Sequence, residues 1–281
     1  MNRKLCIIGN GFGLHFKLPT RVEDFKAILK TKRAYDFCSV FDFFEGYGVD
    51  WGEYESSLAN IDVDDFTEDH IASPDYTSDH ESDRDWGITN IEYHVDYLNK
   101  AINESLEEMS KAANEELERI SLSEEEKRLI DGGPIISFNY TSMVERLYHT
   151  DCFHILGFYE RGESLVFGYQ NSYETRIERE LKSDREEAHD YHIDTQKEEI
   201  IDFYHSWKKK LRRAELKSYL SRLNGIDEAA VLGHSMGEVD SEYFELIEKG
   251  LNPKKWIVYY HEDIPDYERY SFAKKLELKK W

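Results

Sequence analysis

A glycine-rich turn directly after a short apolar run constrains the fold of this chain more than any other feature. Cys6, Ile7 and Ile8 form the apolar run, and positions 9–13 read Gly-Asn-Gly-Phe-Gly. An apolar run of this length that stops at glycines is typical of a buried strand entering a tight turn. The pattern predicts a strand, a turn and a helix, which is how a nucleotide-binding α/β domain commonly begins.

The same alternation of strand and helix patterns returns in the second half of the chain. Helical spacing is found within the polar stretch 173–223 and again around 243–247. Further strands are predicted from apolar runs bounded by glycine or polar residues, at 135–138, 152–156, 165–167, 229–232 and 256–260. Because strands that alternate with helices form parallel sheets with right-handed crossovers, we predict an α/β fold with a largely parallel sheet.

A helical insertion separates the first strand from the others. Apolar residues recur at helical spacing from Phe25 to Leu29 and from Ile91 to Leu106. Within this region, residues 62–85 are rich in acidic, Ser, Thr and His residues with little periodicity, which favours a solvated loop. We therefore predict a single domain over residues 1–281, with a helical insertion at about 26–131.

Charge and cysteine usage exclude several classes of function. The chain carries 58 acidic against 36 basic residues, a net charge of −22 that repels phosphate backbones, so general nucleic-acid binding is not expected. The three cysteines are widely spaced without metal-ligand patterns, so no metal site is expected and a reducing cytoplasm fits them. The first apolar run is too short for a signal peptide or a membrane span, which predicts a cytoplasmic protein without membrane contact.

Two of the strand-end motifs suit a small ligand. The turn at 9–13 lets a backbone approach a phosphate or ribose, although it lacks the last glycine of the dinucleotide fingerprint and the lysine of the P-loop. Asn139 directly follows a predicted strand, where its amide can orient a water or bind a ribose hydroxyl. The structural alternatives are an ordinary strand-to-helix turn for the glycines and a helix cap for Asn139.

A third motif, Gly-His-Ser-Met-Gly at 233–237, has the G-x-S-x-G sequence of the nucleophile elbow of serine hydrolases. Only 46 residues follow Ser235, and His261 is the only histidine among them. Asp240 precedes His261 but lies directly behind the motif instead of after a later strand, which is where the acid of such hydrolases belongs. A serine hydrolase therefore stays an alternative, and Ser235 is predicted not to be a nucleophile.

Together these motifs resemble the AbiH family of phage-resistance (abortive infection) proteins, which is related to sirtuin-like NAD-binding domains. The resemblance lies in four short motifs: GNGF at 9–12 with LPT at 18–20, Trp51 with Glu55, FNYT at 138–141 with Glu145, and GHS at 233–235 with Asp240 and Tyr243. It implies a Rossmann-like fold that holds NAD between the glycine-rich turn and the other strand-end loops.

The resemblance also implies an activity and a set of site residues. The activity is hydrolysis of NAD to nicotinamide and ADP-ribose, which would halt an infected cell by depleting NAD. Asn139 and His154 are then the catalytic candidates: Asn139 orients water or ribose, and His154 is the base candidate, its alternative role being that of a buried core histidine. The residues expected to bind the cofactor are Gly9, Asn10, Gly11, Phe12, Thr20, His234, Ser235 and Asp240.

One departure from the family pattern supports a different class of function. The family has His-Ile-His-Gly where this chain reads His154, Ile155, Leu156 and Gly157, so Leu156 replaces the histidine that takes part in sirtuin-like chemistry. The alternative is a nucleotide-binding or sensing module without catalysis. In either case the expected partner is a small nucleotide, beside a second copy of the chain or another protein of the same defence system.

Overall fold

The computed structural model describes residues 3–33, 39–130, 132–183, 189–260, 264–265 and 267–280. They form a six-stranded sheet with the order β3-β2-β1-β4-β5-β6, in which every neighbouring pair is parallel. The strands are β1 (Arg3–Ile8), β2 (Ile135–Ser137), β3 (Phe153–His154), β4 (Ile226–Leu232), β5 (Lys255–Tyr260) and β6 (Leu276–Lys280). This is the strand order of a doubly wound Rossmann-like fold, so the predicted fold class is confirmed.

Helices connect the strands and build a second, purely helical region. Several begin at a side-chain cap, for example α3 at Ser39 and α9 at Thr175, each of which forms a capping box. The α-helices are α1 (Asn10–His15), α2 (Val22–Leu29), α3 (Val40–Gly46), α4 (Tyr54–Ser57), α5 (Val63–His70), α6 (Glu81–Glu116), α7 (Glu124–Leu129), α8 (Met143–Tyr148), α9 (Arg176–Leu181), α10 (Tyr191–Ser206), α11 (Arg213–Leu220) and α12 (Ser241–Leu251).

The central strands are buried on both faces because their consecutive residues are apolar and point alternately to one face of the sheet and the other. Leu5 and Ile7 of β1 point to one face, where they belong to a cluster that includes residues of α11 and α12. Cys6 and Ile8 point to the other face, where they belong to a cluster with residues of α1 and α8. Helices therefore cover both faces of the sheet, and the loops lie at the amino and carboxyl ends of the strands.

The described chain divides into two compact units. The sheet unit comprises residues 1–21, 107–166 and 210–281, and the helical unit comprises 22–106 and 167–209. The predicted insertion at about 26–131 therefore supplies most of the helical unit, while its residues from 107 onward belong to the sheet unit. The second segment of the helical unit joins the first through aromatic contacts, such as that between Phe44 and Trp207 at 5.0 Å.

Three local predictions differ from the structure. Residues 165–167 form no strand, since Val166 makes only one main-chain hydrogen bond to Leu156, of 2.7 Å, beside the positive-φ turn at Gly157. The predicted loop 62–85 contains α5, which Asp62 caps and which buries Val63. Strand β6 was not predicted from the polar carboxyl-terminal sequence, and it forms because β5 offers a free edge for pairing.

No helix within the described part of the chain has both the length and the apolar character needed to cross a bilayer.

Candidate functional site

The three motifs of the sheet unit that were predicted to bind a ligand lie at the carboxyl ends of neighbouring strands. Gly9 follows β1, Phe138 and Asn139 follow β2, and Gly233 follows β4, and these strands run parallel. The order of the strands reverses between β1 and β4, because β2 and β3 lie on one side of this pair and β5 and β6 on the other. In doubly wound folds, ligands bind at the carboxyl edge of the sheet at this reversal.

Glycines at the reversal allow two loops to pack backbone against backbone. A Cβ atom on Gly9 would lie 2.5 Å from the Gly233 carbonyl oxygen and 2.6 Å from His234 Cα. A Cβ atom on Gly11 would lie 2.8 Å from the same oxygen, and Gly233 itself has a φ of +62°. Gly9 and Gly11 are thus required by contact with the neighbouring loop, whether or not a ligand is bound.

Two backbone N–H groups of the turn that was expected to face a phosphate donate hydrogen bonds to main-chain carbonyls instead. Gly9 N–H donates to the Leu232 carbonyl at 2.9 Å, and Gly11 N–H donates to the Gly233 carbonyl at 2.7 Å. Phe12 is fully buried and packs edge-on against Phe16, with ring centroids 5.3 Å apart. Phe12 therefore lies in the core, and the Gly11 N–H is already hydrogen-bonded to the protein main chain.

Asn10 and Thr20 lie together at the outer end of this turn. The exposed Asn10 donates its side-chain amide to the Thr20 carbonyl at 2.7 Å. Thr20 is buried, and its hydroxyl oxygen has no hydrogen-bond partner among the described residues. A buried hydroxyl without a partner costs free energy, so a ligand or water that bonds to it would stabilise the folded protein.

Asn139 connects the ends of β1 and β2. Its side-chain Nδ2 donates to the Gly9 carbonyl at 3.2 Å, and its main-chain N–H donates to the hydroxyl of Ser137, also at 3.2 Å. Within the described residues no group donates to Asn139 Oδ1. The amide oxygen of a buried side chain is therefore available to accept a hydrogen bond from a water or a ribose hydroxyl.

His154 is buried at the end of β3, and both of its ring nitrogens are in contact with protein atoms. Nδ1 lies 3.0 Å from the Asn139 carbonyl oxygen, and Nε2 lies 2.8 Å from Glu145 Oε1 and 3.2 Å from Cys152 Sγ. The ring also stacks on Phe158, with centroids 4.1 Å apart. Because the carbonyl can only accept, Nδ1 carries a proton and fixes the orientation of the ring.

The groups around His154 shift each other's pKa values. Burial acts to raise the pKa of Glu145, but the hydrogen bond and the charge of His154 outweigh it, so the carboxyl pKa is lowered. Burial, together with the charge of Glu145, raises the pKa of the Cys152 thiol. In the protein without a ligand Cys152 is therefore a protonated thiol and not a reactive thiolate.

The Gly-His-Ser-Met-Gly loop does not have the geometry of a nucleophile elbow. In that motif the serine occupies the strained turn, whereas here Met236 has the positive φ, of 57°. His234 Nδ1 accepts a hydrogen bond from the Met236 N–H at 2.8 Å, and Nε2 lies 3.4 Å from Asp240 Oδ2. Ser235 is exposed, and no histidine nitrogen of the described chain is hydrogen-bonded to it; His261 lies outside the described residues.

Trp51 and Glu55 of the second family motif belong to the helical unit. Trp51 stacks between Phe41 and Tyr54, with ring centroids 4.7 and 4.5 Å away. Glu55 forms an ion pair of 2.9 Å with Lys209, whose side chain is completely buried. Within this unit Trp51 therefore belongs to an aromatic stack, and Glu55 compensates the charge of a buried lysine.

The contact between Glu145, Cys152 and His154 is a cluster that spacing alone does not reveal. The three residues lie on α8, on the loop that follows it and on β3, and their ligand atoms all lie within 4.8 Å of one another. The parallel pairing of β2 with β3 brings them together, and that pairing is not visible in the sequence. The prediction of no metal site was made from sequence spacing alone, which does not show this cluster.

The doubly wound parallel sheet, with helices on both faces, defines this chain as a three-layer α/β protein. Residues 5–260 match the model of the family described as bacteriophage abortive infection AbiH. The match covers most of the chain, so the protein belongs to the AbiH family and has a role in phage abortive infection, as the sequence resemblance predicted. A search of curated proteins found no match.

Proposed function

We propose that this AbiH protein acts in abortive infection by binding NAD at the carboxyl edge of its sheet and hydrolysing the bond between nicotinamide and ribose. The observation that carries the proposal is the reversal of strand order between β1 and β4, with Gly9, Asn139 and Gly233 at the ends of adjacent strands. Dinucleotides bind at this position in folds with this strand order.

Two polar atoms at this edge fit a dinucleotide. Asn139 Oδ1 is available as an acceptor, and the buried Thr20 hydroxyl lacks a partner within the described residues. Asn139 would hold a ribose hydroxyl or the attacking water, and Thr20 would bond to a polar atom of the cofactor. Cleavage of the glycosidic bond gives an oxocarbenium-like ribose, so positioning of the water and the sugar is the main requirement for the protein.

His154 would act through Asn139. Its Nδ1–H donates to the Asn139 carbonyl, and its Nε2 is held by Glu145, so the imidazole fixes the main chain from which the Asn139 amide projects. A role as base would require Nε2 to leave Glu145. We therefore assign His154 the role of a positioning residue, whose replacement should lower the rate of cleavage more than the affinity for NAD.

A second candidate function is binding of NAD without cleavage. Two observations favour it: both nitrogens of His154 are engaged by protein atoms, and Leu156 stands at the family's histidine position. Such a protein would sense the nucleotide instead of consuming it. The two candidates make the same prediction for binding and opposite predictions for products.

Incubation of the purified full-length protein with NAD, followed by chromatographic separation of the products, tests the proposal. The proposed hydrolase releases nicotinamide and ADP-ribose in equal amounts, and Asn139→Ala abolishes the release. Binding of NAD without any nicotinamide release would support the second candidate. Absence of both binding and release would contradict both candidates.

A further inference from the structure

We infer that Glu145, Cys152 and His154 form a binding site for a zinc ion in the sheet unit. The inference does not depend on the proposed activity toward NAD. It rests on the three donor atoms that converge on one point, on the hydrogen bond behind the histidine, and on a buried carboxylate oxygen without a partner.

The separations between the donor atoms are close to those of a tetrahedral zinc site. Glu145 Oε1 and His154 Nε2 are 2.8 Å apart, Cys152 Sγ and His154 Nε2 are 3.2 Å apart, and Cys152 Sγ and Glu145 Oε1 are 3.4 Å apart. Zinc bonds of about 2.0–2.3 Å in a tetrahedron place ligand atoms about 3.4–3.6 Å apart. The three atoms need to separate by roughly 0.6 Å or less to admit the ion.

The environment of His154 prepares it as a ligand. Its Nδ1–H donates to the Asn139 carbonyl, which leaves Nε2 as the nitrogen that faces the two other donors. Metal-binding histidines commonly donate their other N–H to a carbonyl or carboxylate, which fixes the ring and the tautomer. The side chain of His154 is 1% exposed, so the ring cannot turn toward solvent instead.

The carboxylate of Glu145 is a second indication of a metal site. Its Oε2 atom is buried and has no hydrogen-bond partner within the described residues, although a buried carboxylate oxygen normally has one. Bidentate coordination, or a metal-bound water that donates to Oε2, would satisfy it. Glu145 also lines an open cleft of about 690 Å³, together with Arg146 and His149.

The charges balance around a divalent cation. On binding, Cys152 releases its thiol proton to solvent and its sulfur bonds to zinc. His154 releases to solvent the Nε2 proton that it shares with Glu145 and binds zinc through Nε2 as the neutral ring, and Glu145 contributes its carboxylate. The two anionic ligands cancel the charge of the ion, which a buried site requires. A thiolate and an imidazole select zinc over magnesium or calcium.

The basic residues near the cluster do not prevent binding of a cation there. Arg146 is paired with Glu160 at 2.5 Å, and Lys127, which also lines the cleft, is paired with Glu124 at 2.7 Å. Each of these cations is therefore compensated by its own carboxylate. Three protein ligands leave the fourth position of a tetrahedral zinc ion for a water molecule.

Zinc and cobalt titrations of the metal-free, full-length protein test the site. We expect one zinc ion per chain, measured by competition with a chromophoric chelator, and a sulfur-to-cobalt charge-transfer band with Co²⁺. Cys152→Ser should abolish the band and lower zinc affinity by at least about a hundredfold. Glu145→Gln should keep the band while lowering affinity, because the thiolate remains.

Cys6→Ser is the matched control, since Cys6 is a buried cysteine of β1 that forms no disulfide and lies outside the cluster. It should bind zinc and show the cobalt band as the wild type does, and far-UV circular dichroism verifies that each variant is folded. X-ray absorption of the zinc-loaded wild type, which depends on no variant, should show one sulfur ligand. A wild type without the band, or a Cys152→Ser protein that retains it, would overturn the inference. No nucleotide is present in these measurements, so their result is independent of the NAD experiments.

Discussion

The side-chain amide of Asn139 donates a hydrogen bond of 3.2 Å to the main-chain carbonyl of Gly9, and so joins the carboxyl ends of β2 and β1. The same amide presents its oxygen at the edge of the sheet without a donor from the described residues. Asn139 thus combines a structural bond with a free acceptor, because an amide has both a donor and an acceptor end.

Asn139→Ala should destabilise the protein by about 1–3 kcal/mol, because the Gly9 carbonyl loses its side-chain donor in a buried position. Urea denaturation followed by circular dichroism measures the change. Asn103→Ala is the control, since Asn103 is exposed on α6 and bonds only to its own helix. Equal unfolding midpoints for both variants would show that the Asn139 bond does not contribute to stability.

Gly9→Ala should destabilise the protein by about 1–3 kcal/mol or more, because the new Cβ would lie 2.5 Å from the Gly233 oxygen. The control is Gly46→Ala at the end of α3, where a Cβ would meet nothing within 4 Å. Thermal unfolding of both variants provides the comparison. A Gly9→Ala protein as stable as the wild type would mean that the two loops are not packed as described.

Glu55→Gln should be clearly more destabilising than Glu124→Gln. Glu55 pairs with the buried ammonium of Lys209, and removal of one partner of a fully buried ion pair costs about 3–5 kcal/mol, which is an upper limit here because the Glu55 side chain is 26% exposed. Glu124 pairs with Lys127 at the surface, where such pairs contribute at most about 1 kcal/mol. Chemical denaturation of both variants measures the difference, and similar losses would contradict the burial of this pair.

Stability should decrease at alkaline pH, in part through Tyr219. Burial raises the pKa of Tyr219 to about 12, and its hydroxyl donates to the Ile135 carbonyl at 3.1 Å. The folded-state pKa lies above the unfolded value of about 10, so the contribution is complete below about pH 10 and is lost as the pH rises toward about 12. Tyr219→Phe should weaken the pH dependence of the unfolding midpoint in this range, and an unchanged dependence would contradict the assignment.

Ser235 should not react with a fluorophosphonate probe. Its hydroxyl lacks a histidine partner within the described residues, and the strained residue of the loop is Met236. Intact-mass spectrometry after incubation with the probe measures labelling, with Ser235→Ala as the reference. Stoichiometric labelling that disappears in the variant would establish the serine hydrolase alternative.

The sequence allowed the edge of the sheet to be predicted because local patterns mark where strands end. The apolar run before Gly9 and the positions of Asn139 and Gly233 identified three strand ends, and parallel strands bring such ends to one edge. The roles of individual residues in the turn could not be predicted as well from the sequence. Phe12 lies in the core and Gly11 contacts Gly233, and these contacts depend on the tertiary neighbours of the turn.

Features that depend on pairing between distant segments could not be predicted. Strand β6 is polar in sequence and is a strand only because β5 pairs with it. The helix α5 was obscured by acidic residues, although its buried Val63 and Phe66 are three residues apart. The cluster around His154 required the register of β2 with β3, which no local pattern encodes.

Isothermal titration of the full-length protein with NAD tests whether NAD binds at this edge of the sheet. We expect saturable binding of one NAD per chain, with equal affinity in the Asn103→Ala control and an affinity at least about tenfold lower in Asn139→Ala, which corresponds to a loss of about 1.4 kcal/mol. Absence of binding to the folded wild type, or equal binding by Asn139→Ala, would contradict a NAD site at this edge of the sheet.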